Sequence, residues 1–296
     1  MYFPYLRGKL YELVAIRELI QKNLIQSSYI SPIIEPVRDN GTFNSLIKVS
    51  DENKYVLNII SNPQVGEYSD LDKLKSIIDS NEYLRNSVIV LENQKNGFNK
   101  GDLLFYTSPV KGPECDDIQT INVTPYDLDY NAIIRPEQPR VVFTDSFDKK
   151  DRNADYLKYP DVNFSNYHKL YKSAGFYGYG DYSIIGEDYS DSGFAPFAVA
   201  IHIVYFDDNN ALRLKHFVSK SNDDMYNPAN KLHEALEEMN RWYSSADFDK
   251  DKNDSVGLQE LENLYLHDKY SGLGYLKKLE LMHHFEIMNR YLMKKE

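Results

Sequence analysis

The chain has 296 residues and a formal net charge of −11; this length suits one large α/β domain or two smaller ones, and the acidic balance excludes a broad nucleic-acid surface, which needs clustered Lys and Arg. Its single cysteine, Cys115, excludes an intramolecular disulfide and a cysteine-rich zinc site and fits a reducing cytoplasm. No signal-peptide pattern opens the chain and no stretch approaches the roughly 20 apolar residues of a membrane span, so a soluble cytoplasmic protein with no membrane contact is expected.

The first 37 residues read as strand, basic turn, helix, strand. An aromatic-rich strand at 2–6 leads through Arg7-Gly8-Lys9 into an amphipathic helix over 10–25. Leu10, Leu13, Ile16, Ile20 and Leu24 recur there at steps of three and four. A second strand at 29–36 ends on Glu35, with Ile33 and Ile34 apolar on both faces as a buried parallel strand requires. A helical crossover between the two strands makes them parallel. Further strand-like runs follow at 55–60, 87–91, 102–107, 118–123, 140–144, 182–185, 197–206 and 211–219, with a helix near 69–81. About eight or nine strand runs with helices in several gaps point to a (β/α)8-type barrel or a large doubly wound sheet, and the several strands that end on acids favour an irregular (β/α)8 TIM-like barrel of the α/β class. The stretches 123–140 and 147–177 read as loops, and the last two strands form an antiparallel hairpin. From Pro228 the chain turns helical, with Asn227 as N-cap, then helices at 258–267 and 275–293. The domain expectation is therefore a barrel over 1–221 with a helical extension over 222–296 packed on it.

The segments Pro4-Tyr5-Leu6-Arg7-Gly8-Lys9, Glu12, Ala15 and Ser31-Pro32-Ile33-Ile34-Glu35-Pro36 resemble the "beta protein" family of phages and bacteria. Gly180-Asp181-Tyr182 and Lys215-His216-Phe217 are also similar to it. The resemblance implies a barrel-like α/β fold and a setting in mobile elements or anti-phage loci, often near a nuclease. It implies no reaction, and the helical tail departs from it.

Four constellations could carry chemistry. Parallel strands would bring Arg7, Lys9, Glu35, Glu92, Asp145 and Asp181 to one rim, where carboxylates and cations can hold a divalent metal or polarise a phosphate ester. Acids after strands also cap helix N-termini. His202 and His216 lie on the late hairpin, where Arg213 and Lys215 share a face suited to an anion; a hydrogen-bonded core histidine is the plainer account of His202. The run Gly175 to Tyr182 pairs glycines, which allow close backbone approach, with tyrosines that stack; otherwise it is an ordered loop. Over 249–260, Asp249, Asp251, Asn253 and Glu260 take calcium-loop positions one, three, five and twelve, but Asp254 stands where the turn wants Gly; the alternative is a solvated turn. Lastly, Lys277 and Lys278 follow Gly272-Leu273-Gly274. The adjacent His283 and His284 point about 100° apart, so a docked helix suits that segment better than a chelate.

Two functions follow as expectations. In the first, the barrel mouth acts on a phosphate ester, nucleotide or similar anionic small molecule, with or without a divalent metal. Glu35, Glu92 and Asp181 would be its catalytic carboxylates, and Arg7, Lys9, Tyr182, His202, Arg213 and His216 would bind substrate. In the second, the protein is a non-catalytic partner of a co-encoded nuclease, gripping it through the surface share of its 25 tyrosines, a residue type enriched in interfaces.

Overall fold

The computed structural model describes residues 1–92, 101–109, 117–127, 129–130, 133–190 and 197–295; Cys115 lies outside them. The chain divides into two compact units, Met1–Asp145 with Tyr167–Tyr182, and Ser146–Asn166 with Ser183–Glu296.

The first unit is built on strands β1 (Tyr2–Leu6), β2 (Ile33–Ile34), β3 (Leu57–Ile60), β4 (Leu84–Val90), β5 (Leu103–Tyr106), β6 (Ile121–Thr124) and β7 (Arg140–Thr144). After an excursion carrying β8 (Asp161–Ser165) and the short helix α4 (Tyr167–Leu170), strand β9 (Gly178–Asp181) returns. The strands β1 to β7 and β9 form a closed eight-stranded barrel in which every neighbour is parallel. The α/β TIM-like barrel is thus present, with flanking helices α1 (Leu10–Gln21), α2 (Gly41–Glu52) and α3 (Leu71–Asp79). Its interior is filled by one side-chain set, including Phe3, Tyr5, Ile33, Phe105, Val141 and Phe143. The outward set, including Val88, Val90, Leu104 and Tyr106, is buried as well. Burial on both faces is why these strands read as continuous apolar runs rather than alternating ones.

Local chemistry explains several boundaries. Gly8 turns the chain with φ +62 between β1 and α1, and a Cβ there would lie 2.8 Å from the Glu35 carbonyl oxygen. Asn40 starts α2 by accepting from the Thr42 and Phe43 amides, and Asp70 starts α3 by accepting from Lys73 N at 2.9 Å. Both are side-chain caps of otherwise orphaned N–H groups.

Strand β9 corrects one expectation. The glycine-rich run is a barrel stave, not a ligand loop, and the strand expected at 182–185 is a turn. A Cβ on Gly180 would sit 2.4 Å from the Phe3 carbonyl and 2.7 Å from the Phe143 ring, so glycine serves close strand packing at that place.

The second unit holds an antiparallel sheet in the order β10-β11-β8, with β10 (Ala200–Phe206) and β11 (Leu212–Val218) as the hairpin. Helices α5 (Pro228–Tyr243), α6 (Lys250–Asn253), α7 (Val256–Leu266) and α8 (Leu273–Met293) complete it. Two readings are corrected here. The hairpin is not part of the barrel, and 147–177, read as loop, contains β8. The division also falls at residues 145, 166 and 182 rather than near 221. The physical reason is burial: Trp242 of α5 packs on Tyr205 and Phe217, and Tyr291 of α8 stacks on Phe206 at 4.8 Å. These helices take their apolar partners from the hairpin and fold with it.

Candidate functional site

The carboxyl ends of the barrel strands gather a tight polar cluster. Glu35 follows β2 and is fully buried. Its Oε2 accepts from Tyr5 OH at 2.8 Å and from the Arg7 guanidinium at 2.5 Å. Its Oε1 accepts from the amides of Gln64 and Val65 at 2.6 and 3.2 Å. Burial, then the Glu35 charge, push the Tyr5 hydroxyl well above its ordinary value, so it stays protonated as a donor. For Arg7, burial works against the charge, but Tyr5 and Glu35 outweigh it and hold the guanidinium above its usual range. The guanidinium lies 5.2 Å from the Tyr5 ring centre and 5.3 Å from that of Tyr182. Beneath it, Tyr5, Phe105, Phe143 and Tyr182 form a ring of contacts with centroids 4.7 to 5.3 Å apart. Lys9 sits at the start of α1, where its amide meets the buried Glu12 carboxylate at 3.4 Å. Burial raises the Glu12 pKa, and the Lys9 charge works against that rise.

The rim of carboxylates does not assemble. Asp181 shares the outward face of β9 with Tyr179, the face opposite Gly180 and Tyr182, and accepts from Tyr2 OH at 2.6 Å. The period of two that aims Tyr182 inward aims Asp181 outward. Glu92 and Asp145 are solvent-exposed beyond β4 and β7. Of the three proposed catalytic carboxylates, Glu35 is buried in the cluster, Asp181 faces outward and Glu92 is exposed beyond its strand. The four donors to Glu35 match the roughly four acceptor positions a carboxylate offers, so it positions Arg7 and is not available as a base. Among the described residues, no group of three or more His, Cys, Asp or Glu side chains could hold a metal ion.

The remaining candidates lie in the second unit. His202 and His216 face each other across the hairpin, Nδ1 to Nδ1 at 2.7 Å. Tyr156 stacks on His216 with centroids 4.6 Å apart and meets His202 edge-on. Burial lowers His202 well below its ordinary value, with help from Lys277, and lowers His216 to about 4. Both rings are neutral, one donating and one accepting: a packed core pair. Arg213 and Lys215 do share a face, but its anion is internal. Asp161 of β8 accepts from Arg213 Nε at 2.7 Å, Lys215 at 3.1 Å and Tyr205 OH at 2.7 Å. Sequence reasoning missed Asp161 because the partner strand β8 was read as loop.

The calcium loop is also corrected. Residues Lys250–Asn253 are helical, Asp249 caps that turn by accepting from Lys252 N, and Ser255 caps α7. Asn253 is turned inward, its Oδ1 accepting from Phe206 N at 2.7 Å and its Nδ2 donating to Phe206 O at 2.9 Å. Glu260 sits within α7, where it accepts from Tyr275 OH at 3.3 Å. A helix cannot wrap these oxygens around one ion. Lys277 pairs with Glu280 at 3.1 Å, and Lys278 lies over the Tyr275 ring. His283 bonds Ser255 Oγ through Nδ1 and the Val204 carbonyl through Nε2, as a docked helix would.

No protein-family model, curated protein or solved structure matches this chain. No helix among the described residues is long and apolar enough to cross a membrane.

Proposed function

We propose that the mouth of the barrel binds a small anion of the phosphate-ester class, with Arg7 as the cationic anchor. One observation carries this reading: the Arg7 side chain, only 11% exposed, is held at the carboxyl ends of the strands by the fully buried Glu35. In barrels of this type that end hosts the ligand, and a pre-oriented planar fork suits phosphate and carboxylate oxygens. Tyr5 and Tyr182 supply the adjoining aromatic wall. Metal-assisted hydrolysis by Glu35, Glu92 and Asp181 has no support in their placement, so the reading is one of ligand binding. The cytoplasmic, mobile-element or anti-phage setting implied by composition and resemblance is compatible with it.

The test is calorimetric titration with ribose 5-phosphate and inorganic phosphate. Wild type should bind the ester, and Arg7→Lys, which keeps the charge against Glu35 but loses the fork, should bind about tenfold more weakly. No saturable binding by wild type, or equal binding by Arg7→Lys at an unchanged melting temperature, would overturn the reading.

A second reading, contact with a co-encoded nuclease, draws on one surface feature. The Lys231 ammonium bonds the Phe197 and Asp224 carbonyls, so the backbone of Phe197 lies near the segment that carries Met225 and Tyr226, and these three side chains are 54%, 52% and 79% exposed. Clustered exposed apolar side chains mark interaction surfaces. Co-expression with a nuclease encoded beside it should yield a complex that Tyr226→Ser with Met225→Ser disrupts; separate elution of the two wild-type proteins, or a locus that encodes no nuclease, would end this reading.

A further inference from the structure

The outer wall of the barrel carries a second cleft that the mouth does not explain. Its volume is about 390 Å³, and Tyr126, Arg135, Gln138, Arg140 and Phe176 are among its lining residues. That falls in the range of small-molecule sites, about 300 to 1,000 Å³. The cleft is lined by the start of β7, by the chain entering β9 and by described residues between β6 and β7.

Arg140 is fixed there from two sides. Its Nε donates to Thr124 Oγ1 at 3.0 Å and a terminal nitrogen donates to the Asp127 carbonyl at 3.0 Å. Its guanidinium lies over the rings of Phe176, at 5.3 Å, and Tyr130, at 5.8 Å. Arg135 adds a second, exposed guanidinium. The only acid among the described lining residues is Asp127, and its carboxylate accepts from Asp129 N at 3.0 Å within its own turn. The cleft is therefore locally cationic in a chain of net charge −11. Tyr126 is 64% exposed, with its ring 5.9 Å from that of Phe176. Two guanidinium groups suit phosphate oxygens, and the exposed Tyr126 ring, with half-buried Phe176 beside it, suits a flat ring. Among the described lining residues the one amide is already engaged: Gln138 donates to the Asp117 carbonyl at 2.9 Å and accepts from Asn122 at 3.4 Å. Stacking without an uncommitted amide tolerates any base.

From this geometry we infer that the cleft binds a free nucleoside monophosphate, its base against Tyr126 and Phe176 and its phosphate on Arg135 and Arg140, with little choice among bases. This site stands apart from the mouth and does not depend on it. The probes are AMP, UMP, adenosine, inorganic phosphate and a short single-stranded RNA, titrated into the full chain. AMP and UMP should bind within about tenfold of each other, and adenosine or phosphate alone at least about tenfold more weakly than AMP. Tyr126→Ala with Arg135→Gln, both exposed and so expected to leave the melting temperature unchanged, should weaken AMP by about tenfold or more, while Arg7→Lys should leave this event in place. Unchanged AMP binding in the double variant, or AMP binding lost only in Arg7→Lys, would overturn the inference and leave the mouth reading standing. RNA binding more than about tenfold tighter than AMP would overturn the assignment to a free nucleotide.

Discussion

In the first unit the sheet closes on itself, so each strand has a neighbour on both sides and the backbone is satisfied within the ladder. In the second unit β10 is the outermost strand of three, and side chains complete it: Glu280 accepts from His202 N at 2.9 Å, His283 bonds the Val204 carbonyl at 2.6 Å, and Asn253 takes both groups of Phe206. An exposed strand edge is a hazard that proteins cover or blunt, and here helices α6 and α8 cover it with polar atoms. The lesson concerns how buried polar residues are to be read. In the second unit they are committed to backbone and to each other. In the barrel, where closure needs no side chains, Glu35 is committed to the Gln64 and Val65 amides and to Tyr5, and through these it fixes Arg7 at the strand ends.

The largest test breaks the barrel side of this contrast. Glu35→Ala should leave the Arg7 charge without its buried partner and cost about 3–5 kcal/mol in urea unfolding. A loss under about 1 kcal/mol would mean the mouth is not locked by that pair. On the edge side, Asn253→Leu should strand the N–H and C=O of Phe206 and cost about 2–4 kcal/mol. A near-neutral result would show that the edge does not depend on side-chain completion.

Acid should discriminate between the units as well. Burial lowers His202 well below its ordinary value and lowers His216 and His283 to about 4. In the unfolded chain each titrates near 6.5. Below that pH the unfolded chain takes up protons that the folded unit refuses, so unfolding is favoured. Stability should be flat above pH 6.5 with respect to these groups. It should fall from 6.5 to about 4, each histidine adding up to about 1.4 kcal/mol per pH unit. His283→Gln should remove about one proton's share of that slope, read from urea midpoints across the window; an unchanged slope would contradict its buried neutral state. The smallest effect is expected at the edge of the helical segment. Asp249→Ala removes one cap and should cost no more than about 1 kcal/mol, and calcium should not move the melting temperature of either protein. A calcium-dependent rise in wild type, absent from the variant, would restore the metal reading.

Much of the secondary structure was legible. Pro228 after Asn227 marks the start of α5, the periodic apolar residues of 275–293 become α8, and Arg140–Thr144 is a strand as read. Helix α2 was missed although its signals are present: Asn40 as cap and Phe43, Leu46 and Val49 at threefold spacing, all buried. Strand β9 was missed because half of it is glycine, and β8 was missed although Asp161-Val162-Asn163-Phe164-Ser165 alternates polar and apolar, since it is short and holds only two apolar residues.

Of the site, residue order alone marked Arg7 and Glu35 as neighbours at the ends of the first two strands. It could not show that Asp181 faces away, since inward and outward differ by one residue of register. Nor could it show that Arg213 and Lys215 already hold Asp161, some fifty residues away in the chain. Local spacing determines which segments become helices and strands and which residues stand at their ends. Which charges meet, and which are already spent on each other, depends on long-range strand pairing, and that was decided only when the barrel closed and the hairpin found β8.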